Sequence, residues 1–538
     1  MAICIIQKAT VYMNSKLVSG FYFKINFSRC KISDKMEFDS VQQWLFDLED
    51  RTETECMSVL QGKPLHTDGR NNFKTTQSIN WKGGIDDISK QAVSITQQFD
   101  LLFKCSDDER WEELHQLSGH VTCQIRTLIQ SSHQAIPQST LSILQQQEQV
   151  IGECAKLAQK VESFNSRLCK MPLINQMTCL EQSFTHLIHL IITHLIKLMV
   201  KDLQVERNSA INLQNSMSSI ISLSLEGENW CQLISHAGGV KSLLNVCVCE
   251  SVKFAHVQSL RALSSICCLP EIIAELEKEG GLCVLLDILC DDLQPECVKG
   301  EAAGVLAQIT SPAIEHNHFI GGLMDNLQDL VNSLMGLCCQ TESQEIFLLS
   351  TAAVANLTFI DSMACEYLAG ICAPDILVSS TSTYKSQSLF SKDQIATILA
   401  NMAACDDFHL SITRPGGINL LIDFLHISPS LYDTETEIAA CERVLQKAAI
   451  ALTRLCREEK NAQEILRLKG VPRLVELCRN AEERCHSDAV LVASLAALRK
   501  VCMTCGNDSM ATLDVKQLIT PKLMDSFVMC SHSDENFV

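Results

Sequence analysis

The stretch GGINLLI, residues 416–422, decides the fold of the second half of the chain. A glycine followed by the same kind of Leu-rich amphipathic segment occurs four times, and the other copies begin at Gly238, Gly280 and Lys469. Glycine permits a tight turn with a backbone conformation that side-chain-bearing residues rarely adopt. We therefore predict a repeated unit in which two helices meet at a tight turn.

A second motif sets the length of the repeat. Small residues lead into a Leu-x-x-apolar pattern, with Val replacing Leu once, at residues 263–266, 306–309, 354–357, 399–402, 452–455 and 498–501. The ends of these segments are 43 to 53 residues apart. Armadillo and HEAT repeats span about 40–47 residues, and insertions at 379–391 and 428–437 lengthen two of the units. Stacked units cover each other's apolar faces, so we predict an all-α, armadillo-type α-solenoid with a concave binding face over residues 226–526.

The rest of the chain divides by composition. Residues 86–225 have helical periodicity, with Pro137 and Pro172 as breakers, and we expect long helices at the start of the solenoid. Residues 62–85 contain several glycines and are predicted to be a linker. The basic head, residues 1–35, is predicted to be mostly disordered, and residues 527–538 form a C-terminal tail.

Charge and cysteine usage narrow the functional class. The net charge of −19 argues against nonspecific binding to DNA, RNA or anionic lipid, because such binding needs clustered Lys and Arg. The 28 cysteines fall inside apolar helical patterns, which favours reduced thiols and a cytoplasmic protein. No signal peptide is expected, and His189, His194 and Lys197 interrupt the longest apolar stretch, so we predict no membrane span.

Residues 36–61 form a distinct acidic segment. Ser40 and Gln43 predict a capping box, and Val41, Trp44, Leu45 and Leu48 would line one face of a short helix. The following residues lack a helical stripe and would extend with Glu53 and Glu55 on one side. Seven acidic residues accompany a single Arg51. The pattern suits either a peptide for a basic groove or an ordinary first helix packed on its own domain.

Residues 39–64, DSVQQWLFDLEDRTETECMSVLQGKP, resemble the signature peptide of the Inscuteable family, adaptors that orient mitotic spindles in asymmetrically dividing cells. CERVLQKAAIALTRL (441–455), SDAVLVASLAALRK (487–500) and the final residues share the resemblance. It implies a non-enzymatic scaffold whose peptide binds the tetratricopeptide repeats (TPR) of Pins or its vertebrate relative LGN. The implied binding residues are Val41, Trp44, Leu45, Leu48, Glu53, Glu55, Met57 and Leu60.

The same resemblance assigns a role to the tail. Glu535, Asn536, Phe537 and Val538 end the chain and suit a PDZ groove, which holds a terminal carboxylate by backbone amides. The family implies a PDZ protein of the Par complex such as Bazooka, although Asn536 replaces the usual Ser or Thr. It also implies recruitment from the cytoplasm to the cell cortex, apical in polarised cells.

Armadillo repeats often carry an asparagine near the end of the third helix that holds the backbone of an extended ligand. Asn356 and Asn401 match this position, whereas the other repeats carry Ser265, Gln308, Arg454 and Lys500. Two interpretations stay open for the two asparagines: a local peptide ligand on the concave face, or a hydrogen-bonded amide between packed helices.

The sequence contains no motif that predicts catalysis, and we expect neither a cofactor nor a metal. Cys502 and Cys505, with Cys485 and His486 upstream, could supply zinc ligands, but a structural role is the preferred interpretation. His186, His189 and His194 do not converge on one helix face. Two alternatives to the spindle adaptor are a transport or adhesion armadillo protein that binds linear peptides, and a metal-dependent or cysteine-dependent helical enzyme.

Overall fold

The computed structural model describes residues 80–135, 140–163, 170–204, 209–312, 314, 320, 322–430, 434–506, 515 and 518. All regular secondary structure within these ranges is helical. The predicted head, the acidic peptide of residues 36–61 and the tail of residues 527–538 lie outside the described residues. The chain forms two compact units that divide between Gln258 and Ser259, and each is described by itself below.

Four long helices open the first unit: α1 (Trp81–Asp107), α2 (Trp111–Ala135), α3 (Leu141–Glu162) and α4 (Lys170–Lys201). Consecutive helices pack against each other, and α1 also packs against α4, so the four close into a bundle. Phe99 and Phe184 meet in its core with ring centroids 6.0 Å apart. The bundle also contacts the shorter helices that follow it, since α4 packs against Glu228–His236 and Gly239–Val248. The prediction that these long helices stand at the start of the solenoid stays a prediction.

The first helix begins inside the predicted linker. Asn80 caps α1 by accepting a hydrogen bond from the backbone N–H of Gly83 at 2.9 Å. The adjacent Trp81 is buried, and its indole N–H donates to the Asp202 carboxylate at 3.1 Å. Gly84 also lies inside the helix. The linker prediction erred at its C-terminal end because a buried tryptophan outweighs the helix-weakening effect of two glycines in the first turn.

Helix α4 is long and apolar enough to cross a membrane by length and composition, the one such helix among the described residues. Half of its most apolar window is buried inside the protein. Phe184, Leu187 and Ile191 are fully covered. The apolar side of α4 therefore lies in the bundle core.

Shorter helices follow the bundle. The first unit continues with α5 (Ala210–Ser224), α6 (Glu228–His236) and α7 (Gly239–Val248), and α8 (His256–Ile266) crosses the division between the units. The second unit continues with α9 (Pro270–Lys278), α10 (Gly281–Cys290), α11 (Glu296–Ile309), α12 (Leu327–Gln340), α13 (Gln344–Ile360), α14 (Met363–Gly370), α15 (Ala373–Ser380), α16 (Leu389–Met402), α17 (His409–Thr413), α18 (Gly417–Leu425), α19 (Glu435–Leu455), α20 (Glu459–Arg467), α21 (Gly470–Arg479) and α22 (Asp488–Cys505).

The helices recur in threes, as the armadillo prediction requires. A short first helix, a second helix and a longer third helix repeat from α6 onward, and the third repeat is described through its second and third helices, α12 and α13. The predicted Leu-x-x-apolar segments all lie in the C-terminal part of a third helix, namely α8, α11, α13, α16, α19 and α22. Successive third helices from α11 to α22 pack against each other. The prediction of an all-α, armadillo-type fold is confirmed.

The turns between first and second helices have the predicted geometry. Gly416 adopts a left-handed conformation with φ of 99°, and Gly238 and Gly280 do likewise. The equivalent turn of the fourth repeat is formed by Cys372, with φ of 54°, and the small Ala373 follows it. The glycine pattern missed this turn because neither of its two residues is glycine. The turn at Lys469, also left-handed with φ of 59°, was found through Gly470, although a left-handed non-glycine residue is costly.

Close approach of the first and second helices makes the second glycine of the pair a sensitive position. A Cβ added to Gly417 would lie 2.4 Å from the backbone oxygen of Ile412, which cannot move aside as a side chain would. We expect Gly417→Ala to destabilise the protein by about 1–3 kcal/mol, the usual cost of forcing atoms into a packed site. Chemical denaturation monitored by circular dichroism measures the change.

Gly336 provides the matched control, because it lies within α12 and an added Cβ would meet no atom within 4 Å. Gly336→Ala should stabilise the protein by about 0.5–1 kcal/mol through helix propensity alone. Equal effects of the two substitutions would contradict the close-packed turn.

Candidate functional site: the row of third helices

The two predicted ligand-binding asparagines lie on adjacent third helices, and their amides bond to neighbouring helices. Asn356 on α13 donates from Nδ2 to the backbone oxygen of Ala307 on α11, at 2.8 Å. Asn401 on α16 donates from Nδ2 to Oγ1 of Thr358 at the end of α13, at 3.0 Å. Both side chains are half-buried. Each amide therefore links its own repeat to the preceding one.

The next repeats make the same link with different residues. Arg454 on α19 donates from Nη1 to the backbone oxygen of Ala400 at 2.8 Å, in the register of the bond between Asn356 and Ala307. Thr504 on α22 donates to the backbone oxygen of Cys456 at 2.9 Å. The last four carbonyls of a helix have no partner within that helix, so these donors satisfy groups that the preceding third helix leaves open.

This geometry supports the second of the two interpretations of the asparagines, a hydrogen-bonded amide between packed helices. Arg454 occupies the asparagine position of its repeat and does not match the ligand-binding pattern. In the structure it nevertheless makes the same inter-repeat hydrogen bond as Asn356. The equivalent Ser265 donates within its own helix, to the backbone oxygen of Ala262 at 2.8 Å. Hydrogen bonds between repeats thus hold the row of third helices together. The asparagines take part in these bonds and do not form a regular row of ligand-binding amides.

A buried ion cluster joins α16 and α19. The carboxylate of Asp393 is 1% exposed and lies 2.7 Å from Nε of Arg443 and 3.2 Å from Nζ of Lys447. Burial raises the pKa of Asp393, but Lys447 and Arg443 outweigh that effect and hold the pKa below its ordinary value. The carboxylate is therefore ionised between two cations at neutral pH.

A second cluster, with one cation and two carboxylates, joins α8, α11 and α13. Arg261 is paired with Glu301 on the next third helix and lies 3.5 Å from Glu345 on the one after. Burial raises the pKa of Glu301, against the opposing effect of Arg261. Each of the two clusters thus places one central charge between two charges of the opposite sign.

Sequence reasoning missed both clusters. The signal that could have found the Asp393 cluster is the pair of cations at an i, i+4 spacing, Arg443 and Lys447, on a helix that is otherwise rich in alanine. A single sequence does not show which carboxylate lies opposite them, since Asp393 is 50 residues away.

Lys385 of the fourth repeat forms a further buried contact, with the third repeat. Its side chain is 6% exposed, and Nζ donates to the backbone oxygens of Cys338, Cys339 and Thr341 at 3.0 to 3.1 Å. These carbonyls are at the C-terminal end of α12, where a cation is favoured by the helix dipole. The insertion between α15 and α16 is thereby fastened to the preceding repeat.

The cysteine and histidine motifs do not assemble a metal site. Within the described ranges, no group of three or more His, Cys, Asp or Glu converges as metal ligands would. Cys502 and Cys505 lie at the end of α22, whereas Cys485 lies in the turn before that helix. Burial raises the pKa of most described cysteines that shift, such as Cys456 to about 12, so these thiols stay protonated.

Removing an inter-repeat donor should cost stability. Asn356→Ala would leave the backbone oxygen of Ala307 without its partner in a largely buried place, and we expect a loss of about 1–3 kcal/mol in the free energy of unfolding. Asn419→Ala is the control, because Asn419 is exposed on α18 and bonds only to Asp423 on its own helix. Unchanged stability of the Asn356 variant in urea titrations would instead favour a ligand role.

The buried cluster at Asp393 predicts a pH-dependent stability. Asp393→Asn leaves Arg443 and Lys447 as uncompensated buried cations, and breaking such a pair costs about 3–5 kcal/mol at neutral pH. Because the folded-state pKa of Asp393 is lowered, its contribution is present above the unfolded value, about 3.9, and is lost as pH falls through the folded value.

Urea titrations at neutral pH and at successively lower pH measure this effect. The gap between the natural protein and Asp393→Asn should stay constant at neutral pH and narrow below about pH 4. Glu464→Gln is the control, since Glu464 forms an exposed i, i+3 pair with Arg467 and should change little. A gap that is absent at neutral pH would refute the structural role of the cluster.

Comparisons with known proteins give the family of this chain. Residues 91–538 match the family described as "Protein inscuteable C-terminal", and residues 36–72 match the "Inscuteable LGN-binding domain". The mouse protein inscuteable homolog is 35% identical over 518 residues, covering 94% of this chain and 88% of its own length. The human homolog is 35% identical over 514 residues, with the same coverage of both chains.

Solved structures with a related arrangement of helices are more distant. A crystal structure of an engineered protein is 17% identical, with a TM-score of 0.49 over 82% of this chain and 98% of its own. A computationally designed armadillo repeat protein for modular peptide recognition is 20% identical, with a TM-score of 0.38 over 48% of this chain and 99% of its own. The armadillo assignment rests on the repeats themselves, and the two family matches, which together take in residues 36–72 and 91–538, place this chain in the Inscuteable family.

Proposed function

We propose that this chain is a non-enzymatic adaptor that links a Pins/LGN-type TPR protein to the Par polarity complex and thereby orients the mitotic spindle in asymmetric cell division. Membership of the Inscuteable family and the match of residues 36–72 to an LGN-binding domain support the adaptor role. That second match is the observation that carries the proposal, because it covers the acidic peptide identified from its sequence pattern.

The chemistry of the peptide suits a basic groove. Trp44, Leu45 and Leu48 provide apolar anchors at helical spacing, and aromatic residues in such positions often dominate binding energy. The extended part presents Glu53 and Glu55 to basic side chains of the repeats. Charge complementarity of this kind accelerates association and fixes orientation more than it increases affinity.

The folded body would act as the spacer between binding devices. Its inter-repeat hydrogen bonds and buried ion clusters suit a rigid support, and the tail ending at Val538 would engage a PDZ protein of the Par complex. Tethering makes each second contact intramolecular, which raises the effective concentration of the partners. We propose that this linkage recruits the cytoplasmic protein to the cell cortex, on the apical side of polarised cells.

A transport or adhesion adaptor that holds linear peptides on the row of third helices receives less support. That function uses the asparagine amides to hold a ligand, and Asn356 and Asn401 each commit at least one amide N–H to the preceding repeat. Arg454 also bonds to the preceding repeat, so fewer third helices are left that could hold a peptide ligand.

Titration of the full chain against the TPR domain of an LGN-type protein tests the proposal. We expect Trp44→Ala to weaken binding by about 30-fold or more, because a buried aromatic anchor contributes at least about 2 kcal/mol. The double change Glu53→Lys, Glu55→Lys should instead slow association and reduce its dependence on salt. Calorimetry measures the affinity, and stopped-flow fluorescence measures the association rate.

A chain that lacks residues 527–538 is the control for the second device. It should bind the TPR domain with unchanged affinity and lose binding to a PDZ domain of a Par scaffold. Failure of the natural chain to bind the TPR domain would overturn the adaptor proposal. Unchanged PDZ binding after removal of the tail would overturn the part assigned to Val538 alone.

A further inference from the structure

A cavity opens at one end of the helix bundle in the first unit, where α2 begins, α3 ends and α4 begins. Its volume is about 410 Å³. Sites that receive ligands in proteins usually measure about 300–1,000 Å³. Leu114, Val161 and Leu173 line the cavity and are buried, and Trp111 lines it beside them. This end of the bundle therefore offers an apolar recess that can receive bulky side chains of a ligand.

The rim of the cavity is acidic. Glu112 lines it and is exposed. Residues 107–113 carry five carboxylates and one cation, Arg110. Arg110 is already paired with Asp108 at 3.1 Å and with Glu113 at 2.5 Å. Glu112 forms no ion pair with the residues that the structure describes. A ligand that suits this cavity should therefore carry apolar side chains next to a positive charge.

The chain contains a segment of this chemistry in its basic head, residues 1–35. Phe21, Tyr22 and Phe23 form an aromatic run in the head, and Lys24 follows them directly. Aromatic side chains bury a large apolar area when they enter a cavity, and a lysine is attracted both to carboxylates and to the face of a tryptophan ring. The head as a whole carries only one carboxylate, Asp34, and its six cations are Lys8, Lys16, Lys24, Arg29, Lys31 and Lys35.

The chain between the head and the bundle is long enough for this contact. Phe23 precedes Asn80, the residue that caps α1, by 57 residues. The cavity lies at the other end of α1, about 40 Å away, because this helix has 27 residues that rise about 1.5 Å each. About 12 residues of extended chain span that distance at about 3.4 Å each. The head can therefore reach the cavity of its own chain.

We propose that the head docks into this cavity of its own chain, with an aromatic side chain of residues 21–23 on the apolar floor and Lys24 beside Glu112. Docking within one chain is favoured over docking between chains, because the connection raises the effective concentration of the head. Residues 36–61 would then lie in a loop held at both ends, by the docked head and by α1. This proposal goes beyond the adaptor function and does not require it.

Photo-cross-linking of the full chain tests the proposal. A diazirine-bearing amino acid replaces Phe23, and peptide mapping by mass spectrometry locates the cross-link after irradiation. We expect the cross-linked peptides to contain residues 111–116, Val161 or Leu173, which line the cavity. The same amino acid in place of Phe537, in the C-terminal tail, is the control for nonspecific labelling and should not mark these residues.

Glu112→Lys tests the role of charge, because Glu112 is exposed and the fold should tolerate the change. We expect the yield of the cross-link to fall about two- to fivefold in 0.1 M salt, the range that a single exposed ion pair gives. Glu148→Lys is the matched control and should leave the yield unchanged. Glu148 is exposed on α3, about 20 Å along the helix from Val161, and charges more than about 10 Å apart are largely screened at this salt concentration.

Mixing isotopically light and heavy chains before irradiation shows which chain supplies the head. Cross-links that join a light chain to a heavy chain would identify a second copy as the occupant and overturn the proposal. Cross-links outside the cavity, no cross-link, or equal yields in the Glu112 and Glu148 variants would overturn it as well. A cross-link within one chain that Glu112→Lys weakens would support it.

Discussion

The carbonyl groups at the C-terminal ends of the third helices set the arrangement of the armadillo-type unit. A helix cannot satisfy these groups internally, and here the next repeat supplies the donor, as Asn356 does for Ala307, Arg454 for Ala400 and Thr504 for Cys456. Such a donor reaches its carbonyl in only one register. A terminal repeat without a successor would expose both its apolar face and these carbonyls, so each repeat depends on its neighbour.

Buried charges reinforce the same register. Asp393 lies between two cations, and Arg261 links two carboxylates on successive third helices. Such clusters often add little net stability compared with apolar packing, because the charges lose their hydration. A shifted pairing of repeats, however, would leave these charges buried without partners, and that would lower stability strongly. We interpret them as constraints that favour the native pairing of repeats over a shifted one.

The adaptor role separates binding from support. The LGN-binding segment matched at residues 36–72 ends before the first helix of the bundle, which begins at Trp81. The contacts described in the folded body serve folding. Asn356 and Asn401, which match the ligand-binding position of armadillo repeats, donate hydrogen bonds to neighbouring helices of that body. Substitutions in the body should therefore act through stability, whereas substitutions in the peptide act through partner affinity and association rate.

Periodicity and local turn chemistry are properties of neighbouring residues, so the sequence by itself determined the repeat length, the glycine turns at Gly238, Gly280 and Gly416, and the acidic peptide. Only the tertiary structure decided that the first helices close into a bundle and that Cys372 forms a left-handed turn. It also decided which donors meet which carbonyls. These features depend on contacts between residues far apart in the chain, and the pattern of one sequence does not specify which distant group each side chain will face.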